Sequence, residues 1–171
     1  DFIDVAKAMG RYKDGQRAVA AVGSSAGGTL VAAALNQAPA AFAAASLNVP
    51  FVDVLGSMSN PALPLTAQQY QEWGDPSQNG EREVIQAYDP LRNIHPNPYP
   101  PMLVRGVRDD QRVHFWDGAQ YLSHLAATST QAGPYLLLTD FSRGHQADAR
   151  HGLTQQATDY AFLLHQLKRV N

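Results

Sequence analysis

The sequence contains no cysteine, so it can build neither a disulfide scaffold nor a thiolate metal site, and it offers no thiol nucleophile. Any covalent chemistry falls to oxygen or nitrogen. Charge of one sign is also scarce: thirteen Lys and Arg stand against fifteen Asp and Glu, a net charge of −2. The basic footprint of a nucleic-acid binder or a polybasic membrane-surface protein is absent, and neither partner is expected. Long apolar runs are missing too. The longest, from Ala38 to Val54, is interrupted by Pro39, Ser46, Asn48, Pro50 and Asp53, too polar a stretch to span a bilayer. No basic-then-apolar leader opens the chain, and a soluble, cytoplasmic protein is the expectation. What the 171 residues do hold, 44% hydrophobic and 16% charged, suffices for the core of one domain.

The chain opens at Asp1 inside a helical pattern of Phe2, Ile3, Val5, Ala6 and Met9, and so reads as a piece of something longer. Ala18 to Val22 is an apolar run of strand length, stopped by Gly23, and Ala26 to Gln37 reads as a small-residue helix. Ala43 to Val49 is a second strand candidate. A polar, Pro-rich excursion from Pro50 to Pro100 follows, with short helices expected around Thr66 to Trp73 and Glu81 to Tyr88. Met102 to Val107 and Tyr135 to Thr139 complete four strands, separated by a helix from Phe115 to Ala127 and closed by one from Leu153 to Val170. Strands alternating with helices predict βαβ crossovers and a mostly parallel sheet covered by helices on both faces, an α/β fold. In such sheets chemistry gathers at the carboxyl ends of the strands.

Gly23-Ser24-Ser25-Ala26-Gly27-Gly28 stands between a strand and a helix, the context of a G-x-S-x-G nucleophile elbow centred on Ser25. The glycines are expected to let strand and helix approach while the hydroxyl projects past the sheet. A bland small-residue turn or an anion-binding glycine loop are the alternatives, although the spacing is neither G-x-G-x-x-G nor a loop ending in Gly-Lys-Ser/Thr. An elbow serine needs a base and an orienting acid, in the chain order Ser, Asp, His. Asp109 and Asp110 follow the third strand candidate, and His145 and His151 follow the fourth. His95 lies in a Pro-rich lead-in, and His114, His124 and His165 fall within or beside helices. His145 is the better base because it lies nearer its strand. His145, Asp148 and His151 share an H-x-x-D-x-x-H spacing, but one short loop without further ligands does not make a metal site; no metal and no cofactor are expected.

Beyond the elbow, several stretches resemble the catalytic domain of the prolyl oligopeptidase-type serine peptidases, and within it the oligopeptidase B group. They include Val22 to Gly28, Asn48-Val49-Pro50-Phe51-Val52-Asp53-Val54-Leu55, Glu72-Trp73-Gly74-Asp75-Pro76, Tyr99-Pro100-Pro101-Met102-Leu103-Val104, Asp110-Gln111-Arg112-Val113 with Trp116, Gly144-His145 and Tyr160-Ala161-Phe162-Leu163. The likeness runs through almost the whole chain. It implies an α/β-hydrolase fold, of which residues 1–171 would be the C-terminal half, without the family's propeller and early strands. It implies Ser25 as nucleophile, Asp110 as orienting acid and His145 as general base, with the Ala26 N–H in the oxyanion hole. The family pattern sets the acid three residues before a valine, which fits Asp110 and Val113 and leaves Asp109 as a neighbour.

Two departures qualify the likeness. Oligopeptidase B cleaves after Arg or Lys, a choice attributed to a pair of acidic residues two apart just before E-W-G. The matching positions here, Gln69 and Gln71, are neutral, and a buried glutamine pair supplies no counter-charge for a cation. Upstream, the tyrosine that completes the family's oxyanion hole has no counterpart, a loss typically worth ~10² to 10³ in turnover. The first strand would be left as an exposed apolar edge, open to pairing with another chain. The expected partner is thus a peptide or a small ester. The rival readings are an esterase, or an inactive segment completed by a second chain or a second copy.

Overall fold

The computed structural model describes residues 1–12, 15–145 and 149–168, with the side chains at 142–143 and 149–151 outside the description. Asp148 and Val170, both named above, lie outside the described residues. Helix α1 (Phe2–Gly10) precedes β1 (Ala20–Ser24), α2 (Ala26–Gln37) and β2 (Ala44–Asn48). Three short helices, α3 (Val54–Met58), α4 (Thr66–Trp73) and α5 (Glu81–Tyr88), lead to β3 (Met102–Asp109), α6 (Phe115–Thr128), β4 (Tyr135–Arg143) and α7 (Ala149–Lys168). All four strands are parallel and lie side by side in chain order.

Parallel neighbours require a crossover, and right-handed crossovers that always step the same way stack their helices on one face. Side-chain packing agrees. Ala21, Leu47 and Val104 join Val31 and Leu35 of α2 and Leu122 and Leu125 of α6 in one buried cluster. Successive strand residues point to opposite faces, so Asn48 and Arg105 turn the other way, toward Asp159 of α7. The excursion between β2 and β3 builds a satellite cluster of Phe51, Val54, Leu55, Met58 and Ile85, joined by Val113 from the loop after β3, with Trp73, Tyr70 and Tyr88 packed against it.

The α/β expectation holds, and the differences are local. β1 runs through Ser24 rather than stopping at Val22, and β3 and β4 continue into polar sequence as far as Asp109 and Arg143. Backbone pairing does not need an apolar side chain, so the apolar run understates the strand. The short helix α3 was not foreseen; the Asp53 side chain caps it by accepting from the Gly56 N–H at 3.1 Å. Cover of both faces is incomplete. β1 alternates buried and exposed residues, and Val22, on the α7 side, is 51% exposed. Among the described strands β1 pairs with β2 alone, so its other edge is open there.

Candidate active site

Ser25 is the single residue between β1 and α2, at φ 53° and ψ −120°. That region is costly for a residue with a β-carbon and persists only where neighbours hold it. Here they do: the Ser25 N–H donates to the Asn48 carbonyl at 3.0 Å, and the Ser25 carbonyl accepts from the Gly28 and Phe51 N–H groups at 2.9 and 3.1 Å. A β-carbon on Gly23 would lie 2.4 Å from the Gly27 carbonyl oxygen, so strand and helix cross too closely there for any other residue. Gly27, expected to serve the same end, faces open space. The second close approach belongs to Gly28, whose β-carbon would meet Pro50 at 2.6 Å. The Ala26 N–H stands at the N-terminus of α2, where no carbonyl of the helix can reach it.

The structure brings Ser25, Asp110 and His145 together. His145 lies just past β4, its Nε2 3.0 Å from Ser25 Oγ and its Nδ1 2.7 Å from Asp110 Oδ2. Asp110 lies just past β3, with its side chain fully buried. Its other oxygen, Oδ1, accepts from the Arg112 and Val113 N–H groups at 2.8 and 3.1 Å. A carboxylate can only accept, so Nδ1 carries the proton and Nε2 presents its lone pair to the serine hydroxyl. Asp109, the rival acid, instead pairs with Arg108 on the surface through two bonds of 3.0 and 3.1 Å. Among the described residues no group of three or more His, Asp or Glu is placed to hold a metal ion.

A cleft of about 660 Å³ opens beside Ser25 and His145, with Ala26, Phe51, Gln69, Gln71, Trp73 and Arg112 among its lining residues. Phe51 and Trp73 meet edge to face at 5.1 Å between centroids, and the Trp73 Nε1–H donates to Gln69 Oε1 at 3.2 Å. The glutamine pair is less enclosed than a buried pair: Gln69 is half-buried and Gln71 is exposed. Glu72 lines the same cleft from an exposed position, where water screens its charge.

Two features escaped the sequence reading. Asp117, in the first turn of α6, is 2% exposed and its Oδ2 has no hydrogen-bond partner. Burial first, then the negative charges of Asp53, Asp110 and Asp89, pushes its carboxyl up to about 7. On the other face, Arg105 of β3 pairs with Asp159 of α7 at 2.9 Å, and both are buried. The signal was a lone arginine inside the apolar run Met102 to Val107, because a charge in a buried strand demands a partner.

The sequence profile of the prolyl oligopeptidase family matches residues 1–170. The chain is 37% identical to dipeptidyl aminopeptidase BI of Pseudoxanthomonas mexicana, covering 98% of this chain and 24% of that protein. It is 33% identical to protease 2 of Moraxella lacunata, covering 98% of this chain and 25% of that one. Among solved structures, oligopeptidase B of Leishmania major superposes with a TM-score of 0.91 at 34% identity, over 98% of this chain and 24% of that one. Oligopeptidase B of Trypanosoma brucei, solved with covalently bound antipain, gives 0.90 at 32%, again over 98% and 24%. The chain therefore spans about a quarter of the length of the relatives it matches. Among the described residues no helix is long and apolar enough to cross a membrane.

Proposed function

The chain belongs to the prolyl oligopeptidase family, and from that premise we propose that it carries the catalytic centre of a serine peptidase acting on small peptides. The observation that carries the reading is the relay from Asp110 through His145 to Ser25, at 2.7 and 3.0 Å, on a hydroxyl held at positive φ. Ser25 Oγ attacks the scissile carbonyl carbon and passes its proton to His145 Nε2. Asp110 keeps the proton on Nδ1 and stabilises the imidazolium that forms. The Ala26 N–H donates to the oxyanion, adding the positive end of α2 to a site where negative charge develops. The protonated Nε2 then gives its proton to the leaving amine, and water releases the acyl group by the same route.

The cleft is the binding site in this reading, with Gln69 and Gln71 on its wall. Amides offer hydrogen bonds without counter-charge, so a substrate residue with an uncharged side chain suits it better than Arg or Lys. A serine-directed fluorophosphonate is expected to label the parent chain and not Ser25→Ala; in turnover the substitution removes about 10⁴-fold or more. Equal labelling of both proteins would sink the assignment.

A second reading has its own observation. The open edge of β1 and the half-exposed Val22 support residues 1–171 being the C-terminal portion of a larger hydrolase domain, active only when further strands complete the sheet. Labelling that appears only with a complementing chain present distinguishes it.

A further inference from the structure

Between the sheet and α7 lies a group of side chains to which the reaction just described gives no part. Arg105 Nη2 donates to Asp159 Oδ1 at 2.9 Å, and Arg105 Nε donates to Asn48 Oδ1 at 3.1 Å. Asn48 Nδ2 returns a bond to Asp159 Oδ2 at 2.9 Å, which closes the ring of three. Arg105 Nη2 also reaches the Gln155 carbonyl of α7 at 3.5 Å, while Gln155 Nε2 donates to Asp140 Oδ2 on β4 at 2.6 Å. Arg105 is 8% and Asp159 5% exposed.

The backbone around this ring is strained on both sides. Asn48 accepts the Ser25 N–H through its carbonyl, and the next residue, Val49, stands at φ 41° with its N–H donating to the Arg105 carbonyl at 2.8 Å. A β-branched residue at positive φ is a genuine outlier, and such outliers persist only where the surroundings over-determine them. Ser25 and Val49 are the two non-glycine residues at positive φ among the described residues, and Asn48 bonds one and adjoins the other. Arg105 holds the Asn48 side chain and the Val49 backbone together. On the far side, Asp159 and Gln155 belong to α7, the helix that follows His145 in the chain, and they share a small cavity of about 320 Å³ with His145.

We propose that Asn48, Arg105 and Asp159 are positioning residues that hold the strained backbone of Ser25 and the helix following His145 in one register, keeping the hydroxyl within reach of Nε2. The inference rests on the nucleophilic role of Ser25 proposed above. A compact ion such as lysine cannot bridge Asn48, Asp159 and the Gln155 carbonyl at once, because it lacks the planar fork of the guanidinium. Removing one charge alone leaves the other buried and unpaired, so a single substitution confounds positioning with folding. Replacing both by apolar side chains of similar size is the cleaner test, because apolar replacement of a buried ion pair commonly preserves stability.

In the complete chain, the double substitution Arg105→Met with Asp159→Leu is therefore compared with the parent by thermal melting, fluorophosphonate labelling and proton NMR. The expected result is a melting temperature close to the parent's, with labelling slowed at least tenfold and the downfield Nδ1 proton of His145 shifted or lost. On peptide substrates the loss falls in kcat with KM little changed. Arg105→Lys should retain the fold and label at an intermediate rate. Parent-like labelling and an unmoved proton in a folded double variant would overturn the inference. If that double variant does not fold, Arg105→Lys decides alone: parent-like labelling and an unmoved proton in it count equally against the inference. A parent that is labelled neither alone nor with a complementing chain counts against the hydrolase reading instead, and the His145 resonance then decides the positioning role by itself.

Discussion

The two faces of the sheet bury carboxylates in opposite ways. On the α7 face, Asp159 is met by a guanidinium and an amide and leaves no oxygen without a partner. On the α2 and α6 face, where Leu47 and Val104 are fully buried in an apolar core, Asp117 is buried with Oδ2 orphaned and, among the described residues, no cation bonded to it. The first face holds a polar network whose Asn48 also accepts the Ser25 N–H, and the second is filled mainly by apolar side chains, with Asn36, Asp117 and the Tyr121 hydroxyl among its buried polar groups. The comparison separates what stabilises the fold from what shapes the site. The apolar face buries the larger core, and the polar face ties Asn48 and Arg105 of the sheet to Asp159 of α7 by hydrogen bonds.

The largest stability effect is expected on the apolar side. Leu47, the fourth of five residues in β2, stands in register with Gly23 of β1 and Val104 of β3 and belongs to the buried cluster that includes α2 and α6. Leu47→Ala should cost about 2–5 kcal/mol, the transfer energy of the lost methyl groups plus the cavity they leave. Denaturant unfolding reads it directly. A cost below about 1 kcal/mol would mean that the sheet does not draw its stability from this face.

Asp117 offers the next effect and a sharper one, because it changes sign with conditions. Its carboxyl titrates near 7 in the folded chain and near 3.8 when unfolded. Between those values the folded state holds the extra proton, so stability falls as pH rises from about 4 to about 7 and is flat above. Three units correspond to roughly 4 kcal/mol, and an orphaned amide in its place costs about 1–3. Asp117→Asn should thus stabilise by about 1–3 kcal/mol at pH 8 and not at pH 4. The groups facing it are Asp53 before α3, Asp89 after α5 and Asp110 after β3, and Arg92 is bonded to the first two. A gain that does not depend on pH would assign the effect to packing rather than to charge.

How much of this was legible in sequence follows the same line. The aliphatic face could be read from apolar runs, and the elbow from glycines flanking Ser25 at the end of one of them. Choosing Asp110 over Asp109 needed either the family pattern or the geometry, because β3 continues through both arginine and aspartate and composition does not say where it ends. Gly28, not Gly27, makes the close approach to Pro50, and only a folded loop from β2 brings that proline there. The ring of Asn48, Arg105 and Asp159 joins residues up to 111 positions apart, with no local spacing to announce it. Periodicity sees what a segment does for itself; it does not see a charge whose partner lies on another element.

The smallest effect concerns β1, at the edge of the α7 face. Val22 is 51% exposed and lies on β1, whose outer edge is open among the described residues. For the chain by itself, Val22→Asp removes little buried area, and the change should stay within about 0.5 kcal/mol, as surface substitutions usually do. If further strands or a second copy cover β1, the same carboxylate is taken out of water without a partner, and the cost rises to several kcal/mol or the association is lost. Melting temperature measured over a wide range of protein concentration separates these outcomes, since only a face covered by another copy makes it concentration-dependent. A near-neutral substitution in the isolated chain, together with a damaging one in the presence of a complementing chain, would mark the bare half of this face as an interior surface of a larger sheet.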